Sequence, residues 1–486
     1  MQPTVVSSAA MGISAAITLT LSPPCAAGTW LVSHPEVTGA EIADAEVRPQ
    51  AGPWTPTAWD DLTHTLLEPG RYEVRLRAVS DKPGEAIQIP VCAGRIAVRV
   101  DARAVSDGPG PIVVPVAAGA HDVVITVNVS RYERRIACGE RVRVGYAEET
   151  TSSGLGLLVF ESPHDTRGGG KAVVYVPPGH DLHQLGQVLV GLHPWNGSIW
   201  TYAAYQELLG EARARGVLLL MPSGLGNTLY TADAEDEVMR AMDALESVVV
   251  RPVFPRAPDQ VHGLNVSIWG ASMGGAGATT IAFHHPDRFA TVSSFFGDSS
   301  YDLSTYVRAI LPDQRAAHQV NALDVVDNAR YLPVRLIHGE DDVTSPIRQS
   351  EILADALKQR GYAVRFDRVP GIGHAGALVA RYVREIVDAA ATTPTARMPL
   401  RITYRSVRPS DDGAYGITIK RQSLTTDAFI DLERQQDGIH VLHADGVRQI
   451  GIRGRAIASS CQKALPVVFD DPAATVPVVW TGTECL

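Results

Sequence analysis

One serine and two later segments of this sequence have the residue types and order that nucleophilic catalysis requires. Ser272 lies in Gly270-Ala-Ser-Met-Gly274, directly after the apolar run Val266–Trp269 and before a helix-like segment. A serine hydroxyl needs a base, and that base needs an orienting carboxylate. Asp342 follows 70 residues later, after a second apolar run, and His374 follows 32 residues after that. The order predicts a catalytic triad of Ser272, an acid in the cluster that ends at Asp342, and His374.

The glycines that flank Ser272 fit a tight turn between a strand and a helix. Small residues two positions before and after the serine let the strand and the helix approach each other without a clash. The N–H of Met273 then points at the place where negative charge develops on a substrate oxygen, and the helix dipole stabilises that charge. The alternative is that Ser272 only caps a helix.

These motifs resemble the α/β-hydrolase superfamily, and more nearly its polyester depolymerase-like, feruloyl-esterase-like and prolyl-oligopeptidase-like enzymes. The resemblance covers about residues 155–390 and implies a doubly wound α/β fold. His338-Gly-x-x-Asp342 resembles the acid-bearing loop of that group, which implies that Asp342 is the triad acid. Glu340 and Asp341 remain alternatives. Gly371-Ile-Gly-His374 resembles the loop that carries the base.

A second oxyanion donor is expected in the loop after an earlier central strand, Val190–Ser198. Families of this type usually have His-Gly there, whereas this chain has His193 followed by Pro194. Proline has no N–H, so the amide of Trp195 or Asn196 must serve. We favour Trp195 together with Met273, and we expect His193 to anchor the loop.

Aromatic residues near that loop are candidates for the substrate pocket. Trp195 and Trp200 could line an acyl or aromatic-ester pocket, whereas ordinary packing is the better interpretation of Tyr202 and Tyr205. Acidic residues between 233 and 237 are typical of a helix start, with a metal site as the alternative. We expect no cofactor and no metal.

Hydrophobic periodicity divides the chain into four parts. Residues 1–28 are a candidate signal segment, and residues 29–150 alternate polar and apolar side chains, which predicts a jelly-roll-like β-sandwich. Residues 151–392 alternate apolar strands with helices and form the predicted α/β-hydrolase domain. Thr392–Thr395 resembles a linker, and residues 393–486 are expected to form a small β-rich domain.

The N-terminus and the cysteines favour a secreted or periplasmic protein. Residues 5–21 are small and apolar, although no basic residue precedes them; a disordered start to the first strand and a lipoprotein anchor at Cys25 are the alternatives. We expect disulfides Cys92–Cys138 and Cys461–Cys485, with four buried thiols as the alternative. No cysteine spacing suggests zinc.

Composition excludes several classes of protein. The chain has 486 residues, 45% of them hydrophobic, and a net charge of −10, which disfavours binding to nucleic acid. A mean hydropathy near zero argues against a polytopic membrane protein, and serines and threonines in the N-terminal stretch argue against an integral membrane span there. The expected partner is a small-molecule or polymeric ester, and the oligomeric state stays open.

The sequence therefore predicts a serine carboxylesterase that works through an acyl-enzyme, acting on feruloyl or acetyl esters of polysaccharides or on polyesters. A prolyl-oligopeptidase-like serine peptidase is the first alternative. The family's β-propeller has several blades of about 40 residues each, and residues 29–150 are too few to form a whole propeller. A binding protein with a vestigial hydrolase domain is the second alternative.

Overall fold

A computed structural model describes residues 29–106, 108–148, 154–165, 169–249, 263–304, 311, 313–454, 465–472 and 475–481. The candidate signal segment, Cys25, Cys461 and Cys485 lie outside these residues, so the predicted Cys461–Cys485 bridge stays a prediction. Within them, no helix is long and apolar enough to cross a membrane.

The N-terminal region is built from short strands with period-two alternation. Its strands are β1 (Trp30–Ser33), β2 (Val37–Glu41), β3 (Asp44–Pro49), β4 (Thr55–Ala58), β5 (Gly70–Ser80), β6 (Ala86–Ile89), β7 (Arg95–Val100), β8 (Arg103–Ser106), β9 (Ile112–Pro115), β10 (Gly119–Val129) and β11 (Arg143–Ala147). Strands β4-β3-β5-β10-β7-β8 form one sheet and β2-β11-β6-β9 another, and apolar side chains from both form one core. The predicted Cys92–Cys138 disulfide is confirmed within this core. The short helix α1 (Trp59–His64) was not predicted.

The central region folds around one mixed sheet. Its strands are β12 (Gly154–Phe160), β13 (Gly170–Val176), β14 (Gln187–Leu192), β15 (Leu218–Pro222), β16 (Asn265–Ala271), β17 (Val292–Phe295), β18 (Val334–Gly339) and β19 (Val364–Val369). The order is β1-β12-β13-β15-β14-β16-β17-β18-β19, parallel from β15 to β19. These parallel strands are nearly continuous apolar runs because helices bury both faces of the sheet.

The helices of this region are α2 (Gln206–Arg215), α3 (Asp233–Val249), α4 (Met273–His284), α5 (Gln314–His318), α6 (Arg348–Gln359) and α7 (Ala377–Thr392). Helices α3, α4 and α6 contribute to the core on one face of the sheet, and α2 and α7 contribute to the core on the other. Strand β1 differs from expectation, because it pairs antiparallel with β12 at the edge of this sheet although the predicted boundary at residue 29 grouped it with the N-terminal strands.

The C-terminal region also consists of strands. They are β20 (Arg401–Ser406), β21 (Gly413–Ala414), β22 (Ile417–Arg421), β23 (Ala428–Arg434), β24 (Ile439–Asp445), β25 (Val447–Arg453), β26 (Val467–Phe469) and β27 (Val478–Thr481). They form the sheets β20-β23-β24-β26 and β21-β22-β25-β27, with a small core of their own. The predicted linker is held in place, since the Asn265 side chain bonds to backbone groups of Thr393 and Thr395.

A buried ionic network joins the C-terminal region to the central one. Arg408 forms two hydrogen bonds to Glu235 on α3 and one to Asp411. Asp411 in turn contacts Nδ1 of His284, the last residue of α4, at 2.7 Å. Burial opposes ionisation of Glu235, but hydrogen bonding to His285 and the charge of Arg408 outweigh it and hold the Glu235 pKa well below its usual range.

Candidate active site

Ser272 lies at a sharp turn between β16 and α4. Its backbone has φ 56° and ψ −121°, a region that a residue with a side chain rarely adopts. A Cβ at Gly274 would overlap the carbonyl of Leu192, and one at Gly270 would overlap the Gly274 carbonyl. Both glycines are therefore required by close backbone approach. Such a backbone conformation costs about 1–3 kcal/mol and is maintained only by surrounding contacts.

The three predicted triad residues meet at the carboxyl ends of parallel strands. Ser272 follows β16, Asp342 follows β18 and His374 follows β19, so the topology places all three at one edge of the sheet. His374 Nε2 lies 2.8 Å from Ser272 Oγ, and His374 Nδ1 lies 2.7 Å from Asp342 Oδ2. Since a carboxylate only accepts, these partners assign the proton to Nδ1 and leave Nε2 to accept from the serine.

Asp342 is held as a carboxylate although it is buried. Its second oxygen accepts the N–H groups of Thr344 and Ser345 at 2.8 and 2.9 Å. Burial would raise the Asp342 pKa, but hydrogen bonding to His338 and His374 and the charge of His374 outweigh burial and hold that pKa well below its usual range. An ionised Asp342 can stabilise an imidazolium at His374.

The alternative acids face solvent. Glu340 is exposed and pairs with Arg368, and the side chain of Asp341 is also exposed. Of the three neighbouring carboxyl groups, only that of Asp342 is hydrogen-bonded to His374 among the described contacts.

His338 supports the acid loop, a role that the sequence did not reveal. Its ring is fully buried, with Nδ1 2.8 Å from Ser350 Oγ and Nε2 2.8 Å from the Ser345 carbonyl. The carbonyl can only accept, so Nε2 carries the proton. That nitrogen also lies 3.5 Å from Asp342 Oδ2, and His338 therefore fixes both the loop and its carboxylate.

The expected oxyanion loop follows β14. His193 is buried, and its ring nitrogens face the carbonyls of Pro194 and Ser223 at 2.9 Å, as expected of an anchor. The amide of Asn196 donates to Asn227 Oδ1 at 2.7 Å and is already occupied. Met273 opens α4, so its N–H has no carbonyl partner within the helix.

The two tryptophans lie away from the cavity at the nucleophile. That cavity is lined by Ser272 and by Leu229, Met273, Ala276, Phe296, Asp298 and Tyr301. Trp195 is 40% exposed, and the Trp200 ring packs edge-on against His34 of the N-terminal region at 5.4 Å between ring centres. Neither side chain lines the cavity. Trp195 is partly exposed at the surface, and Trp200 packs at the junction between the two regions.

Three further residues near the triad were not predicted. The Phe296 ring packs against His374 at 4.6 Å, and Asp298 enters the cavity from the same loop after β17. Tyr132 comes from the N-terminal region: its ring lies 6.2 Å from that of His374, and its carbonyl accepts the N–H of Gly376. In the sequence, only the short polar segment after the strand Val292–Phe295 could have indicated a functional role for Asp298. No sequence pattern indicated that Tyr132 lies near the triad.

The acidic start of α3 is used in ion pairs. Asp236 pairs with His164 and Arg240, and Glu235 pairs with Arg408 and His285. Among the described residues, no group of histidine, cysteine and carboxylate side chains has an arrangement suited to a metal ion.

Comparisons with known proteins give similarities to serine hydrolases. A model of the prolyl oligopeptidase family matches residues 256–391, and this match confirms the resemblance drawn from the motifs. A search of the curated proteins found no significant match.

Several solved structures resemble about half of the chain. An S-formylglutathione hydrolase from Agrobacterium tumefaciens is 18% identical with a TM-score of 0.42, over 51% of this chain and 98% of that one. A truncated carbohydrate esterase from gut microbiota is 15% identical with a TM-score of 0.40, over 51% and 99%. A putative dipeptidyl aminopeptidase IV from Bacteroides ovatus is 12% identical with a TM-score of 0.39, over 51% and 37%.

Proposed function

We propose that this serine hydrolase cleaves carboxylic esters through a covalent acyl-enzyme. The observation that carries the proposal is the continuous hydrogen-bonded relay from Ser272 through His374 to Asp342, built on a serine with φ 56°. Such a relay activates a hydroxyl that is otherwise too weak a nucleophile. The assignment of Ser272, His374 and Asp342 as catalytic residues is part of the proposal.

The proposed reaction has two halves. His374 Nε2 takes the proton of Ser272 as Oγ attacks the ester carbonyl, and Asp342 stabilises the imidazolium that results. The imidazolium then protonates the departing alcohol, leaving an acyl-serine. Water then attacks the acyl carbon as His374 takes its proton, and when the second tetrahedral intermediate collapses the bond to Ser272 Oγ breaks, the acid leaves and His374 returns the proton to Oγ.

We assign the oxyanion contacts to the amides of Met273 and Trp195. The Met273 N–H is supported by its position at the start of α4, where backbone donors point out of the helix. The Asn196 amide is the alternative donor, but it already donates to Asn227 Oδ1, and this supports the assignment of Trp195. Removal of one oxyanion donor typically costs a factor of about 10²–10³ in kcat.

The chemistry of the leaving group favours an ester over an amide. An alcohol departs with less assistance than an amine, so a site that cleaves amides also cleaves activated esters, whereas the reverse needs further binding groups. The relay supplies the nucleophile, the base and the proton donor that an ester requires. Ester hydrolysis is therefore the activity that this geometry supports best.

Hydrolysis of p-nitrophenyl acetate by the wild-type protein and Ser272→Ala tests the proposal. We expect turnover in the wild type and none above background in the variant. Ser267→Ala is the matched control, since Ser267 is a buried serine of β16 that lies outside the relay. A fluorophosphonate probe should label the wild type and not Ser272→Ala. Equal rates for the wild type and Ser272→Ala would refute the mechanism.

A serine peptidase is the second candidate, and the family match over residues 256–391 favours it. A peptidase of this kind should cleave a proline p-nitroanilide with a kcat/KM comparable to that for the matched ester. An esterase should cleave only the ester. A folded wild type that neither turns over an ester nor reacts with the probe would instead indicate a binding protein with a vestigial site.

Location and natural substrate are further parts of the proposal. The Cys92–Cys138 disulfide supports a secreted or periplasmic location, because disulfides persist in oxidising compartments. Feruloyl or acetyl esters of polysaccharides and polyesters are the proposed substrates. A panel of short aliphatic, hydroxycinnamoyl and polymeric esters, run with Ser272→Ala as the blank, separates them.

A further inference from the structure

Asp298 is a buried carboxyl group beside the nucleophile that the proposed reaction does not use. It follows β17 and is 6% exposed, and it lines the cavity at Ser272 together with mainly apolar side chains. One of its oxygens, Oδ1, accepts a hydrogen bond from Ser345 Oγ at 2.6 Å. An acidic group in such a setting is costly unless something pairs with it.

The other oxygen of Asp298 is unsatisfied. Oδ2 is buried and has no hydrogen-bond partner among the described residues. Burial raises the Asp298 pKa, and the hydroxyls of Ser345 and Ser304 lower it in part. Ser304 Oγ, like Asp298 Oδ2, is buried without a hydrogen-bond partner among the described residues. A buried acceptor without a partner destabilises the folded protein, and a ligand that donates a hydrogen bond there would recover this loss.

The position of the cavity indicates which half of the substrate would reach Asp298. His374 must protonate the leaving alcohol, so the alcohol has to lie next to its ring. His374 does not line the cavity, whereas Phe296 both lines it and packs against the His374 ring at 4.6 Å. Met273, the proposed oxyanion donor, also lines it. The cavity is therefore left for the acyl part of the substrate.

We infer that Asp298 is a specificity residue that binds a hydrogen-bond donor, a hydroxyl or an ammonium group, on the acyl part of the substrate. This inference rests on the proposed function. The lining, which includes Leu229 and Ala276, leaves no room for a water molecule until a side chain moves, so only a short acyl chain fits there, and the single carboxyl group selects chains that carry a donor. A purely hydrocarbon acyl group would bury Asp298 Oδ2 without a partner.

Three esters with one leaving group test this assignment. Ethyl propionate, ethyl lactate and ethyl alaninate, the last two as both enantiomers, carry hydrogen, hydroxyl or ammonium at C2. For the wild type we expect kcat/KM to favour lactate or alaninate over propionate by about tenfold to a hundredfold, the usual range for a hydrogen bond to a charged group. Preference for alaninate identifies the ammonium as the ligand, and preference for lactate identifies the hydroxyl.

Asp298→Asn keeps the shape of the side chain, and in it the ratio should fall close to one. Asp302→Asn is the matched control, because Asp302 lies on the same loop, loses the same charge and is exposed. It should keep the wild-type ratio. A structural role for Asp298 would instead lower kcat/KM for all three esters by the same factor, and unchanged ratios in Asp298→Asn would overturn the inference.

The two proposals fail in different ways. If the wild type hydrolyses neither these esters nor p-nitrophenyl acetate, the proposed function is wrong. If it hydrolyses p-nitrophenyl acetate and shows no preference among the three esters, only the assignment of Asp298 is wrong. Thermal melting of each variant checks that a lost preference does not reflect unfolding.

Discussion

Replacement of Arg408 by methionine should strongly destabilise the junction between the C-terminal and central regions. The Arg408 side chain is 8% exposed and is hydrogen-bonded to the buried carboxylates of Glu235 and Asp411. Methionine fills a similar volume without the charge. Removal of one partner from a buried ion pair typically costs about 3–5 kcal/mol, because the remaining charge stays buried. We expect a loss of that size at pH 8.

The pH dependence of this loss follows from His284. Burial is the main cause that lowers the His284 pKa, and the charge of Arg408 lowers it further, whereas Asp411 and Glu235 raise it. In the wild type, His284 therefore stays neutral while the unfolded chain takes up a proton below about pH 6.5, so stability falls there. Without Arg408 the His284 pKa rises, and protonation of His284 partly compensates the two carboxylates. The difference between variant and wild type should shrink from pH 8 to pH 5.5.

Urea unfolding followed by tryptophan fluorescence at the two pH values measures this difference. Arg448→Met, a change at an exposed arginine on β25 of the same region, is the control and should change stability by less than about 1 kcal/mol. A loss below about 1 kcal/mol for Arg408→Met at pH 8, or a difference that grows as the pH falls, would refute this account of the network.

Three further outcomes are expected. Asp342→Asn should lower kcat for p-nitrophenyl acetate by about 10⁴ with a normal fold, because an amide disfavours the required tautomer of His374; pre-steady-state kinetics checks this. Gly274→Ala should abolish fluorophosphonate labelling, since its Cβ would overlap the Leu192 carbonyl, whereas Gly210→Ala, with open space at the Cβ, should label normally. Loss of the disulfide in Cys92→Ala/Cys138→Ala should cost about 2–4 kcal/mol in urea unfolding of the N-terminal region.

Local patterns predicted the parts of the site that neighbouring residues determine. The turn at Ser272 needs small residues two positions before and after the serine, so the five residues from Gly270 to Gly274 are enough to predict it. The apolar runs predicted β14, β16 and β18 because strands buried on both faces have few polar residues.

Contacts between distant segments could not be predicted from the sequence. Tyr132 lies close to His374 because the N-terminal region packs against the central region. For the same reason Trp200 packs against His34 and does not line the cavity at Ser272. The orphaned oxygen of Asp298 depends on where Ser345 and Ser304 lie. Periodicity carries no information on such pairs, because their spacing along the chain is arbitrary.

The pairing of β1 with β12 has a consequence for any shortened form of the protein. Strand β12 reads Gly-Leu-Gly-Leu-Leu-Val-Phe, and β1 covers its outer edge from Trp30↔Val159 to Ser33↔Gly156. A chain cut at residue 151 would expose this uncharged, proline-free strand as an open edge, which is a template for intermolecular β-pairing. The hydrolase fold in isolation should therefore self-associate, and the four residues of β1 act as its built-in protection against aggregation.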